Sequence, residues 1–496
     1  MNNDQPLYRY RMEILLAGIL LLSAFLNLWN IWSSGYSNTY YAAAVKSMLE
    51  NPGVLFFNSF DAGGFVTVDK PPVGLWVQAA SATIFGFSGW ALVLPQALAG
   101  VASVALLYCI ISRPFGKPAG LVAAFALAIT PIFVAVSRNG TMDGLLIFVI
   151  LLAVWSALKA ARDSSLPYLL FAVILTGIGF NIKMIQAFIV VPAIFTVYFL
   201  GAREIPAKKR LLHSVAALAV LMMVSLSWAI VVDSIPAEQR PYIGGSGDNT
   251  VLGLIINYNG IHRLENGGMS GPGGIDGPQR GVEGPEDSRV FSRNQTDGMS
   301  ENELTIDAGS VPPQGTPSGG FFPGGQESPR SAGTTTAGSG PMNNPGKVPP
   351  QGQFPQDTSR MGSTSGVAGG SGAPGSRVGG GMDDNGSPGI LRLFGSGLYG
   401  QITWLLPFAL IGLLAWFRKP AIGDLKEREK TGYFNERSLV LLAMCLWLFP
   451  GLLYFSFTTG FWHTYYLATI APPLAGIAGI SAPGLYASYT SERFRG

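Results

Sequence analysis

The feature that most restricts what this chain can become is a succession of apolar runs, each close to the length that crosses a bilayer. They lie at about 13–32, 91–111, 119–136, 143–161, 166–182, 184–201, 211–232, 398–417, 438–456 and 465–484. Runs so uniformly apolar do not fit the alternation of barrel strands, which leaves helices as the spanning element. Charge agrees with this. Only 12% of the 496 residues are charged and 48% are hydrophobic, whereas a soluble domain carries about 25% charged residues. The expected fold is an all-α integral membrane protein, a polytopic bundle with about ten transmembrane helices, outer juxtamembrane helices and a disordered Gly/Pro-rich outer loop.

The segment Met1 to Arg11 is short and basic, and the run after it, Glu13 to Trp32, exceeds a signal-peptide core and ends in no small-residue cleavage pattern. It reads as a retained first span. With the N-terminus inside, the inner loops hold Arg113 and Lys117, Lys159 and Arg162, then Arg203, Lys208, Lys209 and Arg210. A later inner loop carries Arg418, Lys419, Lys426, Arg428, Lys430 and Arg437, and the tail carries Arg493 and Arg495. The outer loops hold fewer cations, namely Lys46, Lys70, Arg138, Lys183 and Arg240. This is the positive-inside bias, and it places the protein in the cell membrane with residues 33–88 outside as the first outer loop. Within that loop, Leu75 to Phe87 is apolar but short, and reads as a helix at the outer membrane surface or dipping into it. Cys109 and Cys445 sit in separate apolar runs and read as core filler, not as a disulfide.

Composition divides the chain into three parts: a membrane region over 1–263, a Gly/Pro-rich outer stretch over 264–390, and a second membrane region over 391–496. Residues 261–390 hold about half of the 64 glycines, with tracts such as GGSGAPGSRVGGG. Large apolar residues are too sparse there to offset the entropy of ordering the chain. That window has 8 Lys/Arg against 13 Asp/Glu, a net −5, so the membrane part carries +8 of the chain's overall +3.

No Walker-type phosphate loop, dinucleotide fingerprint, HExxH or paired CxxC occurs, and His213, His262 and His463 are too far apart in sequence to define a metal site. Polar residues at the outer membrane boundary remain as candidates, since charges at that depth are costly and tend to be paired or functional. Asp69-Lys70-Pro71-Pro72 marks the point where the first outer loop re-enters the apolar phase. Its carboxylate can take a proton from a hydroxyl and its ammonium can hold a phosphate oxygen, or the two can form an ordinary interfacial ion pair. Arg138 and Asp143 share the turn SRNGTMDG, where Asp143 can equally cap the following helix. Lys183 can bind an anion or snorkel from a helix end. Asn38, Tyr40 and Tyr41 open the first outer loop, Asp61 lies in Asp61-Ala62-Gly63-Gly64, and His463 and Tyr466 lie in the last outer turn ahead of Ala471-Pro472-Pro473. Aromatic side chains also serve at this depth as interface anchors.

Taken in order, these pieces resemble glycosyltransferase family 39, which includes protein O-mannosyltransferases and aminoarabinose transferases. The resemblance covers about 7–263 and 391–484 and rests on TVDKPPVGLW, SRNGTMDG, the late His-x-Tyr-Tyr followed by Ala-Pro-Pro, and the Gly-rich insert. It implies a GT-C-type helical bundle with an outward active site and inverting transfer from a polyprenyl-phosphate sugar. Lys70 matches the family's phosphate contact, with Arg138 and Lys183 as further cations, and Asp143 matches the acidic residue of the second outer turn. One position departs. The family commonly has an Asp-Glu pair at the start of the first loop, with the Asp as base, and Asn38-Thr39 stands there. An amide cannot take a proton, so Asp61, Asp69 and Asp143 all stay open as the base. Relatives are longer, so the chain reads as a short member.

The expected partners are a polyprenyl-phosphate-linked sugar donor, a cell-envelope acceptor (glycan, lipid or protein) and the bilayer, with no nucleic acid. No cofactor is assigned, and a divalent metal has no support in the sequence. The alternatives are a transporter or flippase of lipid-linked sugars and a non-catalytic scaffold. Transporters place charges near the bilayer midplane between repeated halves, whereas these charges cluster at one face and no internal repeat is evident.

Overall fold

In lipid only an internal hydrogen-bond ladder leaves no backbone group bare, so each apolar run winds into a helix until a residue that cannot continue it. The computed structural model describes residues 5–258, 386–395, 397–418, 435–459 and 462–490. In order these give α1 (Gln5–Leu28), α2 (Thr39–Met48), α3 (Pro52–Phe57), α4 (Val73–Phe85) and α5 (Gly89–Phe115). Then come α6 (Lys117–Ala128), α7 (Pro131–Ser137), α8 (Asp143–Arg162), α9 (Leu166–Lys183), α10 (Val191–Gly201) and α11 (Ala207–Asp233). The chain closes with α12 (Leu406–Arg418), α13 (Glu436–Phe457) and α14 (Ala471–Thr490). Among the described residues the only β pairing is two isolated bridges, Ser59 with Thr67 and Val66 with Tyr242.

Among the described residues seven helical stretches are long and apolar enough to cross a membrane, eight if the bent pair α6–α7 counts as one. The chain is a multi-pass membrane protein. Ten runs were expected from sequence, and four of them come out differently. The run 119–136 bends by 64° between α6 and α7, because Pro131 lacks an N–H and disfavours helix at Thr130 before it. The run 398–417 yields a helix of only 13 residues. The runs 166–182 and 184–201 continue as one 36-residue stretch, Leu166–Gly201. That stretch nevertheless doubles back. Ser165 N–H donates to Ala160 O, and a Cβ on Gly201 would lie 2.7 Å from Ala161, so both ends meet the same end of α8. Its middle, at Lys183, meets Asp143 at the other end of α8. The reversal falls at Met184, whose φ of 51° breaks the ladder.

The two ends of the bundle differ in charge. At one end Glu436 pairs with Arg113 (2.8 Å) and Arg162 (3.6 Å), Arg437 Nε donates to Pro114 O, and Lys117 pairs with Glu13. The 20 residues of α8 carry the chain about 30 Å to the other end. There the chain presents Asp143, Lys183, Asp69 and Lys70. The C-terminal stretch Thr464–Tyr486 is the most enclosed, with 83% of its span buried, and Tyr8–Ser34 the least, with 17%. Enclosure explains the sequence APPLAGIAGIS of α14. A helix with helices on all sides needs small residues for close approach more than large ones for lipid.

Cys109 and Cys445 are both free. The Gly/Pro-rich stretch 264–390, apart from its last five residues, lies outside the described residues, as do the cation-rich 419–434, the tail from 491 and His262.

Candidate active site

Two ion pairs mark the site. In the first, Lys70 Nζ lies 2.6 Å from Asp69 Oδ2 and 3.2 Å from Asp69 O. The prolines that follow lead directly into α4, whose N-cap is Pro72, so the pair sits at a helix start with few backbone donors to compete for it. In the second pair, Lys183 Nζ lies 2.5 Å from Asp143 Oδ1. Asp143 opens α8, where a negative charge is favoured by the helix dipole, and Lys183 closes α9, where a positive one is favoured. The pair is enclosed: Asp143 has no exposed surface and the Lys183 side chain keeps 7%.

Aromatic rings join the pairs. Lys183 Nζ lies 4.8 Å from the ring centroid of Tyr465 and 4.5 Å from that of Tyr466, close enough for cation–π attraction. His463 stacks on Tyr465 at 5.0 Å and meets Tyr466 edge-on at 5.6 Å. On the Lys70 side, Tyr40 stacks on Phe60 at 4.9 Å and contacts Tyr41 at 5.4 Å. Burial, and then the Asp69 carboxylate, push the Tyr40 phenol up to about 12, with the Asp69 backbone pulling the other way. The Tyr41 phenol is pushed well above its ordinary value by burial first, then by Asp69, Tyr465, Tyr466 and Asp143. Tyr41 thus feels both carboxylates at once, and the two ion pairs form a single cluster. Both phenols stay protonated at neutral pH, so each keeps a hydroxyl hydrogen to donate.

The other candidates are engaged elsewhere. The Arg138 guanidinium donates to Leu26 O and, at 2.7 Å, to Trp29 O, satisfying carbonyls left open at the end of α1. Asn38 caps α2, its Oδ1 accepting the Tyr41 N–H at 3.0 Å. Asp61 closes its own turn, accepting N–H groups from Phe65 at 3.1 Å and Val66 at 3.0 Å. Slight burial works against its ionised form. The Phe65 and Val66 donors, then those of Asp61 itself and Gly63, outweigh that and hold the carboxyl below its ordinary value. The structure therefore brings together Asp69, Lys70, Asp143, Lys183, Tyr40, Tyr41, His463 and Tyr466. It places Arg138, Asn38 and Asp61 on supporting backbone. Among the described residues no three His, Cys, Asp or Glu side chains gather as metal ligands.

Several supporting residues escape a reading of the sequence. Gln96 Oε1 accepts the Leu145 N–H at 2.8 Å and so caps α8. Gln78 Nε2 donates to Gly140 O at 3.0 Å, fastening the Arg138–Asp143 turn to α4. Asn58 Nδ2 donates to Lys70 O at 2.7 Å. The signal was present for the glutamines, since a lone amide within an apolar run needs a partner. For Asn58 and Tyr465 only tertiary structure supplies the contact.

Comparison with known proteins converges on the same region. Residues 69–228, which contain both ion pairs, match the sequence model of the family described as dolichyl-phosphate-mannose-protein mannosyltransferase. The chain is 41% identical over 486 residues to Putative mannosyltransferase YkcB of Bacillus subtilis (strain 168), covering 97% of this chain and 63% of that protein. It is 39% identical over 496 residues to Putative mannosyltransferase YycA of the same strain, covering 97% of this chain and 65% of the relative. The chain thus spans just under two thirds of the length of each. A crystal structure of ArnT from Cupriavidus metallidurans in the apo state overlays at a TM-score of 0.47 and 14% identity, covering 96% of this chain and 60% of that one. By sequence this chain is similar to the two putative mannosyltransferases along nearly all of its own length, and the segment that matches the family model carries both ion pairs.

Proposed function

We propose that the protein is a membrane glycosyltransferase of GT-C type, moving a hexose, mannose by its relatives, from a polyprenyl-phosphate donor to a cell-envelope acceptor with inversion. The observation that carries this reading is the convergence of two Lys–Asp pairs on Tyr41 at one end of the bundle. In it the acceptor hydroxyl gives its proton to a carboxylate as its oxygen bonds to the anomeric carbon. The bond from that carbon to the phosphate oxygen breaks, and polyprenyl phosphate leaves. Lys70 holds the phosphate and steadies the charge that grows on it; Lys183 adds a second cation. Asp69 is the carboxylate best placed as base, because it keeps 20% of its side-chain surface, while Asp143 is enclosed and Asp61 is spent on backbone donors. Tyr40 and Tyr41 donate hydrogen bonds to phosphate or sugar oxygens, and His463 and Tyr466 form an aromatic wall for the sugar. Arg138 and Asn38 hold the turn and α2 in place.

In this reading the site faces the outside and the Glu436 end faces the cytoplasm, with ten crossings once the hairpin over 166–201, the bent pair and α12 with its preceding residues each count in full. The membrane regions 1–263 and 391–496 carry the transferase, with 264–390 outside. Purified protein given radiolabelled polyprenyl-phosphate sugar is expected to release polyprenyl phosphate and pass label to an acceptor. Lys70→Ala and Asp69→Asn are expected to abolish transfer while remaining folded in detergent. Near-normal turnover in both would overturn the site, and movement of intact lipid-linked sugar without bond cleavage would replace the transferase by a flippase.

A further inference from the structure

The site's two walls are each held by an arginine that is not a member of either ion pair. Arg240 lies beyond the end of α11, with 6% of its side chain exposed. Its Nη1 donates to Asp233 Oδ1 at 2.6 Å and Val232 O at 3.0 Å, and its Nη2 donates to Asn249 O at 2.9 Å. Asp233 in turn accepts the N–H groups of Val251 (2.8 Å) and Leu252 (3.0 Å). Asn249 Oδ1 accepts from Ile243 N at 2.8 Å. Residues 240–252 are thereby closed into a loop with little freedom of its own.

That loop grips the strand of chain leading to Lys70. Thr67 N donates to Tyr242 O and Tyr242 N to Phe65 O, both at 2.8 Å, and Gly244 N donates to Thr67 Oγ1 at 3.0 Å. The fit allows no side chain at 244, where a Cβ would lie 2.3 Å from Thr67 O. One residue on, Val68 N donates to Asn58 O at 2.9 Å, and the Asn58 amide holds Lys70 O at 2.7 Å. A continuous set of hydrogen bonds therefore runs from Arg240 to the backbone of Lys70.

Arg392 does the corresponding work on the other wall. Its Nη1 donates to Thr458 O at 2.6 Å, just past the end of α13, and its guanidinium lies 5.1 Å from the ring centroid of Trp462. Gly389 N donates to Ser456 O at 2.8 Å beside it. Trp462 is buried against Phe455 at 5.0 Å and directly precedes His463, the N-cap of the turn that bears Tyr465 and Tyr466 over Lys183.

We propose that Arg240 and Arg392 are positioning residues, Arg240 acting through the 242–244 loop on Lys70 and Arg392 acting through Trp462 on the tyrosines that face Lys183. This rests on the donor reading above only for its consequence in transfer; the geometric claim is separable from it. The test is the rate at which an amine-reactive acylating reagent modifies each lysine in the full-length purified protein, read by mass spectrometry. Arg240→Gln is expected to raise the modification rate of Lys70 several-fold and leave Lys183 slow. Arg392→Gln is expected to do the reverse. Gly244→Ala, which displaces the loop with Arg240 intact, is expected to reproduce the Arg240 pattern and covers the case in which the arginine variant does not fold. A general loosening would raise both lysines together in every variant, and that result, or no change in either, overturns the proposal.

A polyprenyl monophosphate titrated into the same variants reads the consequence. Arg240→Gln is expected to weaken binding about tenfold in the parent and not further in a Lys70→Gln background, a non-additivity expected of residues that act through one another. Crosswise lysine reactivity in a protein that binds no polyprenyl phosphate would leave the clasps standing and remove the donor reading.

Discussion

Asp143 has no exposed surface; Lys183 takes its Oδ1, and its Oδ2 meets no donor among the described residues. Taking one partner from such a pair leaves a charge that neither water nor protein satisfies. Lys183→Ala is therefore expected to lower stability by about 3–5 kcal/mol, and Lys183→Ala with Asp143→Ala to recover much of that loss. Lys70→Ala is expected to cost less, roughly 1–2 kcal/mol, because Asp69 can turn to water. Thermal and denaturant unfolding in detergent compare the three. Asp61 gives a pH signature. Its folded-state value lies below the ordinary carboxylate value, so the stability it lends its turn is present above the ordinary value and is lost as pH falls through the depressed one. Hydrogen-exchange protection of Phe65 and Val66 should fall across that acid window in the parent and stay flat in Asp61→Asn. Asp69 and Lys70 stand out in the sequence because charges beside two prolines at the edge of an apolar run have few other uses. The sequence does not show that Lys183 and Asp143 are partners. Each has a sufficient local explanation, as a helix end or a cap, and 40 residues separate them. Arg138 is the complementary case: the carbonyls it satisfies lie at the end of α1, more than 100 positions away.

At the scale of elements, close approach is decided at glycines of α14. A Cβ on Gly479 would meet Ala119 O and Ala123 Cβ at 2.5 Å, both on α6, where backbone cannot yield without moving the helix. A Cβ on Gly476 would meet Met444 Sδ at 3.0 Å, the far end of a pliant side chain. Gly479→Ala is expected to cost about 1–3 kcal/mol by overpacking, and Gly476→Ala distinctly less, as a shift in thermal unfolding. Helix existence was readable from the apolar runs throughout. The division at Lys183 was readable as well, because a lone cation separates two apolar runs there, and the chain reverses at the next residue, Met184. The bend after Thr130 was not anticipated, although Pro131 stands at its start.

For the whole molecule, Arg113, Lys117, Arg162 and Arg437 gather at one end of the bundle and the candidate site lies at the other, and the positive-inside rule then predicts a site that faces outward. Cysteines placed at Ala62 and at Lys426, in a background lacking Cys109 and Cys445, test the orientation in intact cells. A membrane-impermeant thiol reagent is expected to label position 62 and spare 426, and the opposite pattern would remove the catalytic reading with it. The two ion pairs also carry a consequence for how a donor enters. Two ammonium groups and two carboxylates sum to zero, so the unliganded cluster offers an incoming phosphodiester no surplus of positive charge. Such a guest can share each ammonium with the aspartate already on it, since a lysine carries three N–H donors. On the proposed reading its entry is therefore governed by close exchange at the two lysines and not by long-range attraction.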